Sequence, residues 1–457
     1  MNKNVAELDK NLIEMCKKAK IPGMALIAAK NGEVIYENYV GYRNKAAQLP
    51  VTGDTIFGVA SLTKSFTALA IMILEEEGKL SVQDNVIKWL PQLTFIQPKT
   101  TIHHLLTHTA GYPGMASFHL ARLESLTRDP DGRYLFGKIP TTNGAVKGVP
   151  DMMEKMNEFD EDFIGAPGEL FNYSNECYAL LQEIVERASG ESFEELMKRM
   201  IFEPIEMDRS IFKVADLRTF SDVTQLYAFT KDKKKDAFHS PTWWESGNIY
   251  GAGALKASAK DMMKYLEVFR NDGNVNGKQI VSKKGIDKML TAYCTTPNEN
   301  QYGYGMMIGN YNGVDVVGHG GGVKGVSSYM LLAKKEGITI TVLTNIAEVA
   351  AENLALTVFR YLLDLEEPKL GQSAYQLSTE ELTKYSGIYQ SHEGQKIEVR
   401  EKENGLVLHI QHNTVTVAPY QENLFQLPDG KKVAFLTDGQ GNITGIFRGM
   451  RYLQKCT

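Results

Sequence analysis

The 457-residue chain is poor in cysteine and has no long uninterrupted apolar run. Its four cysteines, Cys16, Cys177, Cys294 and Cys456, are far apart and form no CxxC pair. This distribution argues against a cysteine zinc site and against a disulfide framework, and it fits a reducing compartment. The apolar segment 24–29 is shorter than a signal sequence or a membrane span requires. We therefore expect a cytoplasmic protein with no membrane partner.

The sequence also lacks the excess of positive charge that nucleic-acid-binding proteins carry. It contains 50 Lys and Arg against 55 Asp and Glu, which gives a formal net charge of −5. This balance argues against a nucleic-acid partner. The hydrophobic content of 43% and charged content of 23% are those of an ordinary globular protein. A chain of this length is expected to form two or three domains.

Up to about residue 368, helix-like and strand-like segments alternate. The Asn31-Gly32 pair joins two strand-like runs and strongly indicates a β-hairpin. Segment 61–77 is apolar nearly all round, which predicts a helix buried between layers. Residues 314–346 predict three consecutive antiparallel strands, whereas the Gly, Pro and Asp content of residues 115–150 predicts a long loop.

After residue 368 the pattern changes to short segments with alternating apolar side chains. Six such segments are separated by turn pairs such as Asp429-Gly430 and Gly441-Asn442. This pattern is typical of a small antiparallel barrel or sandwich. We expect two domains, residues 1–368 and a β-barrel at residues 369–457.

The buried helix begins with Ser61-Leu-Thr-Lys64, an S-x-x-K motif. Side chains three residues apart share one helical face, so this hydroxyl and amine could form a hydrogen bond. The start of a helix also offers N–H groups suited to an oxyanion. Lys64 could accept a proton only if burial lowered its pKa. The motif alone is weak: Ser210-Ile-Phe-Lys213 has the same spacing, and a capping serine followed by a solvated lysine is the common case.

Two further motifs could complete a site with the first. In Tyr173-Ser-Asn175 a phenol could relay a proton and an amide could hold a substrate, although Y-x-N also occurs at 36–38 and 42–44. His319-Gly320-Gly321 lies on a predicted strand. Glycines there would let a substrate backbone approach and leave N–H groups available, but they also commonly mark a bulge.

The order S-x-x-K, Y-x-N, H-x-G resembles that of the penicillin-recognising serine hydrolases, which include class C β-lactamases, DD-carboxypeptidases, esterases and D-aminopeptidases. The similarity extends over residues 5–365 and includes the segments TIHHLLTHTAGYPG, APGELFNYSNECYALLQEIVERASG and YGAGALKASAKDMMKYL. It implies an α+β catalytic domain with an antiparallel sheet flanked by helices and a helical subdomain. The C-terminal barrel resembles the lipocalin-like barrels of peptidases in this superfamily that favour D-residues.

The resemblance also implies roles for individual residues. Ser61 would be the acylated nucleophile, Lys64 its proton acceptor, and Tyr173 the relay to the leaving group. Asn175 would bind the substrate amide and Lys64, and the N–H groups of Ser61 and Gly322 would form the oxyanion hole. Whether Lys64 or Tyr173 is the base stays open, because coupled groups share their protons.

The third motif departs from the β-lactamase pattern, since His319 stands where a lysine is usual. A fixed cation facing a substrate carboxylate would then be missing unless His319 were protonated. This argues against strong β-lactamase activity, whereas a histidine here is similar to some DD-carboxypeptidases and to D-aminopeptidases. The implied substrate-binding residues are thus Asn175, His319, Gly320, Gly321 and Gly322.

We therefore expect a serine hydrolase that forms an acyl-enzyme on Ser61, most simply a peptidase or amidase of the D-aminopeptidase or DD-carboxypeptidase type. The alternatives are a carboxylesterase or acyltransferase, a weak β-lactamase, or a penicillin-binding scaffold without turnover. The expected partner is a small peptide, amide or ester, with self-association left open. Neither a cofactor nor a metal is expected.

Three other features have a structural and a functional interpretation. His104 and His108 have the i, i+4 spacing of a zinc site but lack the glutamate of H-E-x-x-H, so packing and capping are favoured. Trp243-Trp244 could equally line a cleft or fill a core edge. Cys177 is expected to be a small buried residue, and segment 231–236 a solvated loop tip.

Overall fold

The structure is a computed structural model that describes residues 5–136, 146–230, 237–367, 375–410 and 413–456. Two predicted features, the domain boundary between residues 368 and 369 and the lysine-rich segment 231–236, lie outside these ranges.

Nine strands of the first part of the chain form one antiparallel sheet. The strands in this part are β1 (Gly23–Lys30), β2 (Glu33–Asn44), β3 (Leu49–Pro50), β4 (Ile56–Gly58), β5 (Tyr227–Ala228), β6 (Phe238–His239), β7 (Lys256–Ser258), β8 (Asn274–Val275), β9 (Lys278–Gln279), β10 (Cys294–Thr295), β11 (Gln301–Tyr302), β12 (Met307–Tyr311), β13 (Val314–Val323), β14 (Val326–Ala333) and β15 (Ile338–Thr344). The order in the large sheet is β10-β11-β12-β13-β14-β15-β1-β2-β3. The predicted hairpin is β1–β2 and the three predicted consecutive strands are β13–β15, so both predictions are confirmed.

Helices flank this sheet and connect its strands, and the last helix of the chain packs on the C-terminal part instead. They are α1 (Val5–Lys18), α2 (Thr63–Glu76), α3 (Val86–Trp89), α4 (Ile102–Leu106), α5 (Ser117–Leu120), α6 (Leu123–Arg128), α7 (Gly132–Phe136), α8 (Val149–Asn157), α9 (Asn175–Ser189), α10 (Phe193–Met197), α11 (Ala259–Arg270), α12 (Lys283–Met289), α13 (Ala351–Leu363) and α14 (Thr379–Thr383). Three further helical segments are not α-helical, namely the 3₁₀ turns Ala60–Leu62 and Val214–Thr219 and the π turn Lys198–Phe202. Within the described ranges, none of these helices combines the length and apolarity needed to cross a membrane.

Both faces of the large sheet are buried, as strand β1 illustrates. Its side chains alternate, so Ala25 and Ile27 belong to one hydrophobic core and Met24 and Leu26 to the other. Helix α11 packs on β1 and β15 from the first side, whereas α13 packs on β14 and β15 from the second. The sheet is therefore the middle layer of three at these strands, which agrees with the predicted antiparallel sheet flanked by helices.

Helix α2 lies inside the first of these cores. Every residue from Thr63 to Leu74 is buried, and α9 packs along it. Gly78 ends the helix with a φ of +71°, a conformation that favours glycine. The predicted all-round buried helix is confirmed, and it places the start of α2 next to the sheet.

The predicted long loop at residues 115–150 is wrong for the part of it that the structure describes. Helices α5, α6 and α7 occupy this segment, and α8 begins at Val149. Pro150, which suggested a loop, lies in the first turn of α8, where proline is well tolerated. Contacts with distant residues stabilise these helices where the local sequence has no strong helix signal. The buried Glu176 carboxylate, for example, accepts the Phe118 N–H at the start of α5.

Eight further strands form a closed antiparallel barrel at the C-terminal end of the chain. They are β16 (Gly387–Gln390), β17 (Lys396–Lys402), β18 (Gly405–Ile410), β19 (Asn413–Gln421), β20 (Leu424–Gln426), β21 (Lys432–Thr437), β22 (Ile443–Arg448) and β23 (Arg451–Lys455). Pairing of Tyr389 with Lys455 joins the first strand to the last and closes the barrel. The predicted C-terminal barrel is confirmed.

The barrel packs against the first part of the chain through a shared apolar cluster. Phe171 and Tyr302 from the first part lie in it with Leu424, Ala434 and Phe447 from the barrel. Ion pairs flank the cluster, including Lys431 with Glu352 at 2.9 Å. The barrel is thus held close to the segment that leads into Tyr173.

Candidate active site

A cavity of about 390 Å³ brings together most of the site residues predicted from the sequence. Its lining includes Ser61, Tyr173, Asn175, His319, Gly320 and Gly322. Lys64 lies behind Ser61 and is fully buried, and the open side of Gly321 faces the turn that carries Ser61. All eight predicted residues therefore lie at one site.

Ser61 lies in a tight turn ahead of helix α2. The 3₁₀ turn Ala60–Leu62 precedes the α-helix, and Ala60 has a φ of +47°, which residues other than glycine rarely adopt. The Thr63 hydroxyl donates to the Ala60 carbonyl at 2.7 Å and helps to hold this conformation. Strained backbone of this kind persists where the surroundings over-determine it, often at functional sites. The predicted helix start at Ser61 is thus a 3₁₀ turn, with the α-helix beginning at Thr63.

Lys64 is the central polar group of the site. Its Nζ lies 2.6 Å from the Ala252 carbonyl oxygen, 2.8 Å from Asn175 Oδ1 and 3.3 Å from Ser61 Oγ. Burial lowers the pKa of Lys64 well below its ordinary value, and the positive charges of Arg451 and Arg122 lower it further. Burial and the two arginine charges favour the neutral amine.

A neutral amine at this position can be oriented in one way only. It has two N–H donors and one lone pair, and the two short contacts to Ala252 and Asn175 both end on acceptor oxygens. The two donors are therefore used there, and the lone pair is left for the third and longer contact. With the amine neutral, Ser61 would donate its hydroxyl hydrogen toward Lys64 Nζ, as an activated nucleophile requires.

Tyr173 lies on the other side of Ser61. Its ring centroid is 4.7 Å from Lys64 Nζ, and its buried hydroxyl has no full hydrogen bond within the described residues. Burial raises the pKa of Tyr173, and the nearby Ser61 hydroxyl and Arg451 charge oppose this rise only in part. The phenol therefore keeps its proton. Because the pKa of Lys64 is lowered and that of Tyr173 is raised, Lys64 is favoured as the base and Tyr173 as a proton donor.

Asn175 is positioned by the start of helix α9. The Ser174 hydroxyl caps this helix by accepting the Cys177 N–H at 3.2 Å. Because Asn175 Oδ1 accepts from Lys64, the side-chain NH₂ group is the part that can donate to a substrate carbonyl. Cys177 is buried, as predicted, and burial raises the pKa of its thiol to about 12, so it stays protonated.

His319 is neutral in this structure. Its Nδ1 lies 2.6 Å from the Gly320 carbonyl oxygen and must donate there, and its Nε2 lies 3.2 Å from the Tyr302 hydroxyl and can accept. Burial lowers the pKa of His319 to about 3, and the nearby Lys64 adds to this effect. Both ring nitrogens are thus used by neighbours, and the side chain supplies no cation near neutral pH.

Strand β13 exposes one edge to the cavity. Its pairing with β12 ends at Gly318, so residues 319–323 are paired only with β14 among the described strands. A side chain at Gly321 would collide with Val59 and Ser328, which explains the glycine at that position. A side chain at Gly322 would meet no atom within 4 Å and would project into open space. This edge can accept an extended substrate backbone.

Several groups around the cavity were not found from the sequence. Arg122 and four barrel residues, Gln395, Gly449, Met450 and Arg451, line it. Glu176, which accepts from the hydroxyls of Ser117 and Ser174 and from the Phe118 N–H, supports its floor. Glu176 directly follows Asn175, and an acidic residue in a first helical turn is a usable signal. The barrel residues had no such signal, because their position depends on how the barrel packs.

The histidines of residues 103–108 pack and cap, as the favoured interpretation predicted. His104 Nδ1 accepts the Thr101 N–H in a capping box, and His103 Nδ1 lies 2.7 Å from the Tyr304 hydroxyl. His108 Nδ1 accepts the Ser174 N–H at 3.1 Å, and its ring lies 4.3 Å from that of Tyr173. His108 therefore supports the tyrosine from below.

The remaining sequence features have structural roles. Ser210 donates to Asp261 and Lys213 pairs with Glu194, so the second S-x-x-K motif does not form a Ser–Lys contact. Trp243 packs on Ala60, Leu226 and Val326. Trp244 donates to Asp129 at 2.7 Å. Neither tryptophan is among the described residues that line the cavity. Of the two interpretations given above, lining a cleft or filling a core edge, the structure favours the second.

The sequence is similar to a known family and to known proteins. A family model described as Beta-lactamase matches residues 2–362. Penicillin-binding protein 4* of Bacillus subtilis strain 168 is 27% identical over 402 residues, which are 84% of this chain and 83% of that protein.

Solved structures with a similar fold include one that matches nearly the whole chain. The octameric penicillin-binding protein homologue from Pyrococcus abyssi is 29% identical with a TM-score of 0.71, and the match covers 98% of this chain and 99% of that one. The D-stereospecific amidohydrolase from Streptomyces sp. is 20% identical with a TM-score of 0.61, covering 79% of this chain and 99% of the other. At that identity the likeness concerns the fold alone.

Proposed function

The chain belongs to the beta-lactamase family of serine hydrolases, and we propose that it cleaves amide bonds in small peptides containing D-residues. The reaction would pass through an acyl-enzyme on Ser61. The observation that carries this proposal is the buried Lys64 Nζ, which lies 3.3 Å from Ser61 Oγ and makes its two shorter contacts with the acceptor oxygens of Asn175 and Ala252. A buried neutral amine in contact with a serine hydroxyl has a clear use as a general base.

In the acylation step, Ser61 Oγ attacks the substrate carbonyl carbon while Lys64 takes the hydroxyl proton. The carbonyl oxygen becomes an oxyanion that the N–H groups of Ser61 and Gly322 would stabilise. Asn175 would hold the substrate through its NH₂ group. The C–N bond then breaks, and the departing nitrogen takes a proton from Tyr173, which regains one from the Lys64 ammonium. The net movement is one proton from Ser61 to the amine.

The same groups would run the deacylation step in reverse order. A water molecule attacks the ester carbonyl and gives one proton to the Lys64–Tyr173 pair. Ser61 Oγ then takes that proton as its bond to the acyl carbon breaks. The acid product departs and the neutral amine is restored. No cofactor is needed for the proton balance of either step.

Two observations support a peptide substrate with D-residues. The open edge of β13 offers backbone groups that a short peptide could pair with. A solved structure with this fold is described as a D-stereospecific amidohydrolase. Esters are the main alternative, because a carboxylesterase or acyltransferase would use the same Ser61, Lys64 and Tyr173.

Labelling by a fluorophosphonate probe, followed by intact-mass measurement, tests the nucleophile. We expect one adduct on the wild type and none on Ser61→Ala, with Ser210→Ala as the matched control that labels normally. Equal labelling of Ser61→Ala would refute the proposal. D- and L-configured dipeptide amides, compared with p-nitrophenyl esters, then separate an amidase from an esterase by the ratio of kcat/KM.

Two properties of the whole molecule stay predictions. Self-association is supported by the octameric state named for the homologue from Pyrococcus abyssi, and size-exclusion chromatography with light scattering tests it. A cytoplasmic location is supported by the four cysteines, all of which are free thiols in the structure.

A further inference from the structure

The C-terminal barrel supplies one wall of the catalytic cavity. Gly449 and Met450, with φ of +58° and +69°, form the two-residue turn between β22 and β23, and Arg448 pairs with Arg451 across it. Positive φ at both positions is the geometry of a tight hairpin that matches strand twist. Gly449, Met450 and Arg451 line the 390 Å³ cavity together with Ser61.

Hydrogen bonds fix this hairpin to the segment that carries Tyr173. The Tyr173 N–H donates to the Met450 carbonyl at 3.0 Å, and the Tyr452 N–H donates to Asn172 Oδ1 at 3.0 Å. These bonds bracket Arg451 on both sides along the strand. The position of the Arg451 backbone relative to Tyr173 is therefore defined by the fold.

Arg451 is largely buried and only partly satisfied. Its Nε lies 2.9 Å from Glu393 Oε2, and the two side chains are 14% and 4% exposed. Its guanidinium carbon lies 5.0 Å from the ring centroid of Tyr173. Its Nη1 is buried and has no hydrogen-bond partner within the described residues. A buried guanidinium nitrogen without an acceptor is unfavourable, so a ligand with an acceptor is expected there.

Positive charge in the cavity comes from arginine and not from the third motif. His319 is neutral, and burial lowers the pKa of the lining His119 to about 4. Arg122, also in the lining, donates its Nε to Ser246 at 3.2 Å. Arg451 is thus the lining cation that combines contact with Tyr173 and an unused donor. Arginine is also well shaped for a carboxylate, which it can bind through two parallel hydrogen bonds.

We propose that Arg451, contributed by the barrel, binds the C-terminal carboxylate of the peptide and makes the enzyme a carboxypeptidase. This inference rests on the proposed function, in which Tyr173 gives its proton to the departing nitrogen. When a C-terminal residue departs, its α-carboxylate is separated from that nitrogen by a single carbon. A cation beside Tyr173 is therefore close enough to bind that carboxylate. Arg451 would supply the positive charge that a lysine at the position of His319 would otherwise supply.

The test compares two substrates that differ only at this carboxylate. They are acetyl-D-alanyl-D-alanine with a free carboxylate and the same peptide as its C-terminal amide, assayed at pH 8. We expect the wild type to prefer the acid by about 10- to 100-fold in kcat/KM, the range for a charge-assisted hydrogen bond. Arg451→Gln should reduce this preference to near one, mainly by raising KM for the acid. An equal loss on both substrates would assign Arg451 a structural role and overturn the proposal.

Three variants complete the test. Arg448→Gln changes the other arginine of the same hairpin, which does not line the cavity, and should keep the preference. Arg451→Lys keeps the charge and should retain part of it. Glu393→Gln removes the carboxylate that competes for Arg451 and should increase the preference for the acid several-fold. A decrease in that variant would contradict the proposal even if Arg451→Gln failed to fold.

Binding to Ser61→Ala separates this proposal from the hydrolase proposal. Calorimetry with the two peptides needs no turnover, so tighter binding of the acid supports the role of Arg451 even if the wild type hydrolyses neither. Equal binding of acid and amide, with normal labelling of Ser61 in the wild type, would overturn the carboxylate site and leave the hydrolase intact.

Discussion

The main-chain N–H of Tyr173 donates to the carbonyl oxygen of Met450 at 3.0 Å. A residue of the C-terminal barrel thus shares a hydrogen bond with the residue whose phenol faces the cavity. The barrel hairpin is therefore linked directly to the proposed catalytic groups, and we expect a change in the turn to alter the proposed reaction.

Replacement of Gly449 by valine should impair both stability and activity. Gly449 and Gly441 both have positive φ, and a Cβ atom at either would meet no atom within 4 Å, so a residue with a Cβ atom strains the backbone at both positions by about 1–2 kcal/mol. Of the two, Gly449 lines the cavity. We expect Gly449→Val to lower kcat/KM about tenfold or more, as small displacements of reacting groups do. Gly441→Val should lower only the Tm, and equal kinetic effects of the two would contradict the coupling.

Replacement of Lys64 by methionine should abolish acylation while leaving the chain folded. Loss of a positioned base reduces rates by about 10²–10⁴-fold. Lys64→Arg should be equally inactive, because arginine keeps the charge but stays protonated. Lys213→Met, in the second S-x-x-K motif, is the matched control. The measurement is the rate of fluorophosphonate labelling by intact mass, and labelling of Lys64→Arg at the wild-type rate would exclude Lys64 as the base.

The sequence predicted the parts of the site whose geometry is local. Ser61 and Lys64 are one helical turn apart, and Gly320 to Gly322 share one strand, so spacing alone relates them. The barrel was predicted from six alternating segments, but its closing strands β16 and β23 were not, because Arg451–Lys455 is polar and pairs with distant residues. Arg451 could not be placed at all, since its position depends on packing between two parts of the chain.

The acid limb of the pH–rate profile should respond to Arg451. Activity requires neutral Lys64, so it falls as the pH decreases through the pKa of Lys64. The positive charge of Arg451 helps to lower that pKa. Arg451→Gln should therefore raise the pKa of Lys64 and move the acid limb to higher pH. The pH profile of kcat/KM on the amide substrate measures this shift, with Arg448→Gln as control. An acid limb that moves to lower pH would contradict the expected effect of the Arg451 charge on the pKa of Lys64.

The fold should lose stability as the pH falls below 6.5. Burial lowers the pKa of His319 to about 3 and that of His108 well below its ordinary value, so both are neutral when folded. In the unfolded chain they bind protons below about pH 6.5, which favours unfolding by about 1.4 kcal/mol for each histidine at pH 5.5.

Urea denaturation at pH 7.5 and 5.5 measures this loss. His319→Gln should reduce the difference in unfolding free energy between the two pH values by about 1.4 kcal/mol, because one titrating group is removed. His409→Gln, in a half-buried position on β18, is the control. A difference that His319→Gln leaves unchanged would show that His319 is protonated in the folded protein.

Alanine at two adjacent glycines of β13 should separate folding from catalysis. A methyl group at Gly321 would collide with the Val59 carbonyl and with Ser328, whose hydroxyl donates to that carbonyl at 2.8 Å. Gly321→Ala should therefore destabilise the fold by about 1–3 kcal/mol and displace the turn that carries Ser61.

A methyl group at Gly322 would meet no atom within 4 Å, so Gly322→Ala should keep the Tm of the wild type. Its methyl group would nevertheless occupy the strand edge where the substrate backbone is expected, and kcat/KM should fall. Thermal melts and steady-state kinetics of both variants decide the matter, because a Gly322→Ala enzyme with unchanged kcat/KM would move the substrate away from this edge.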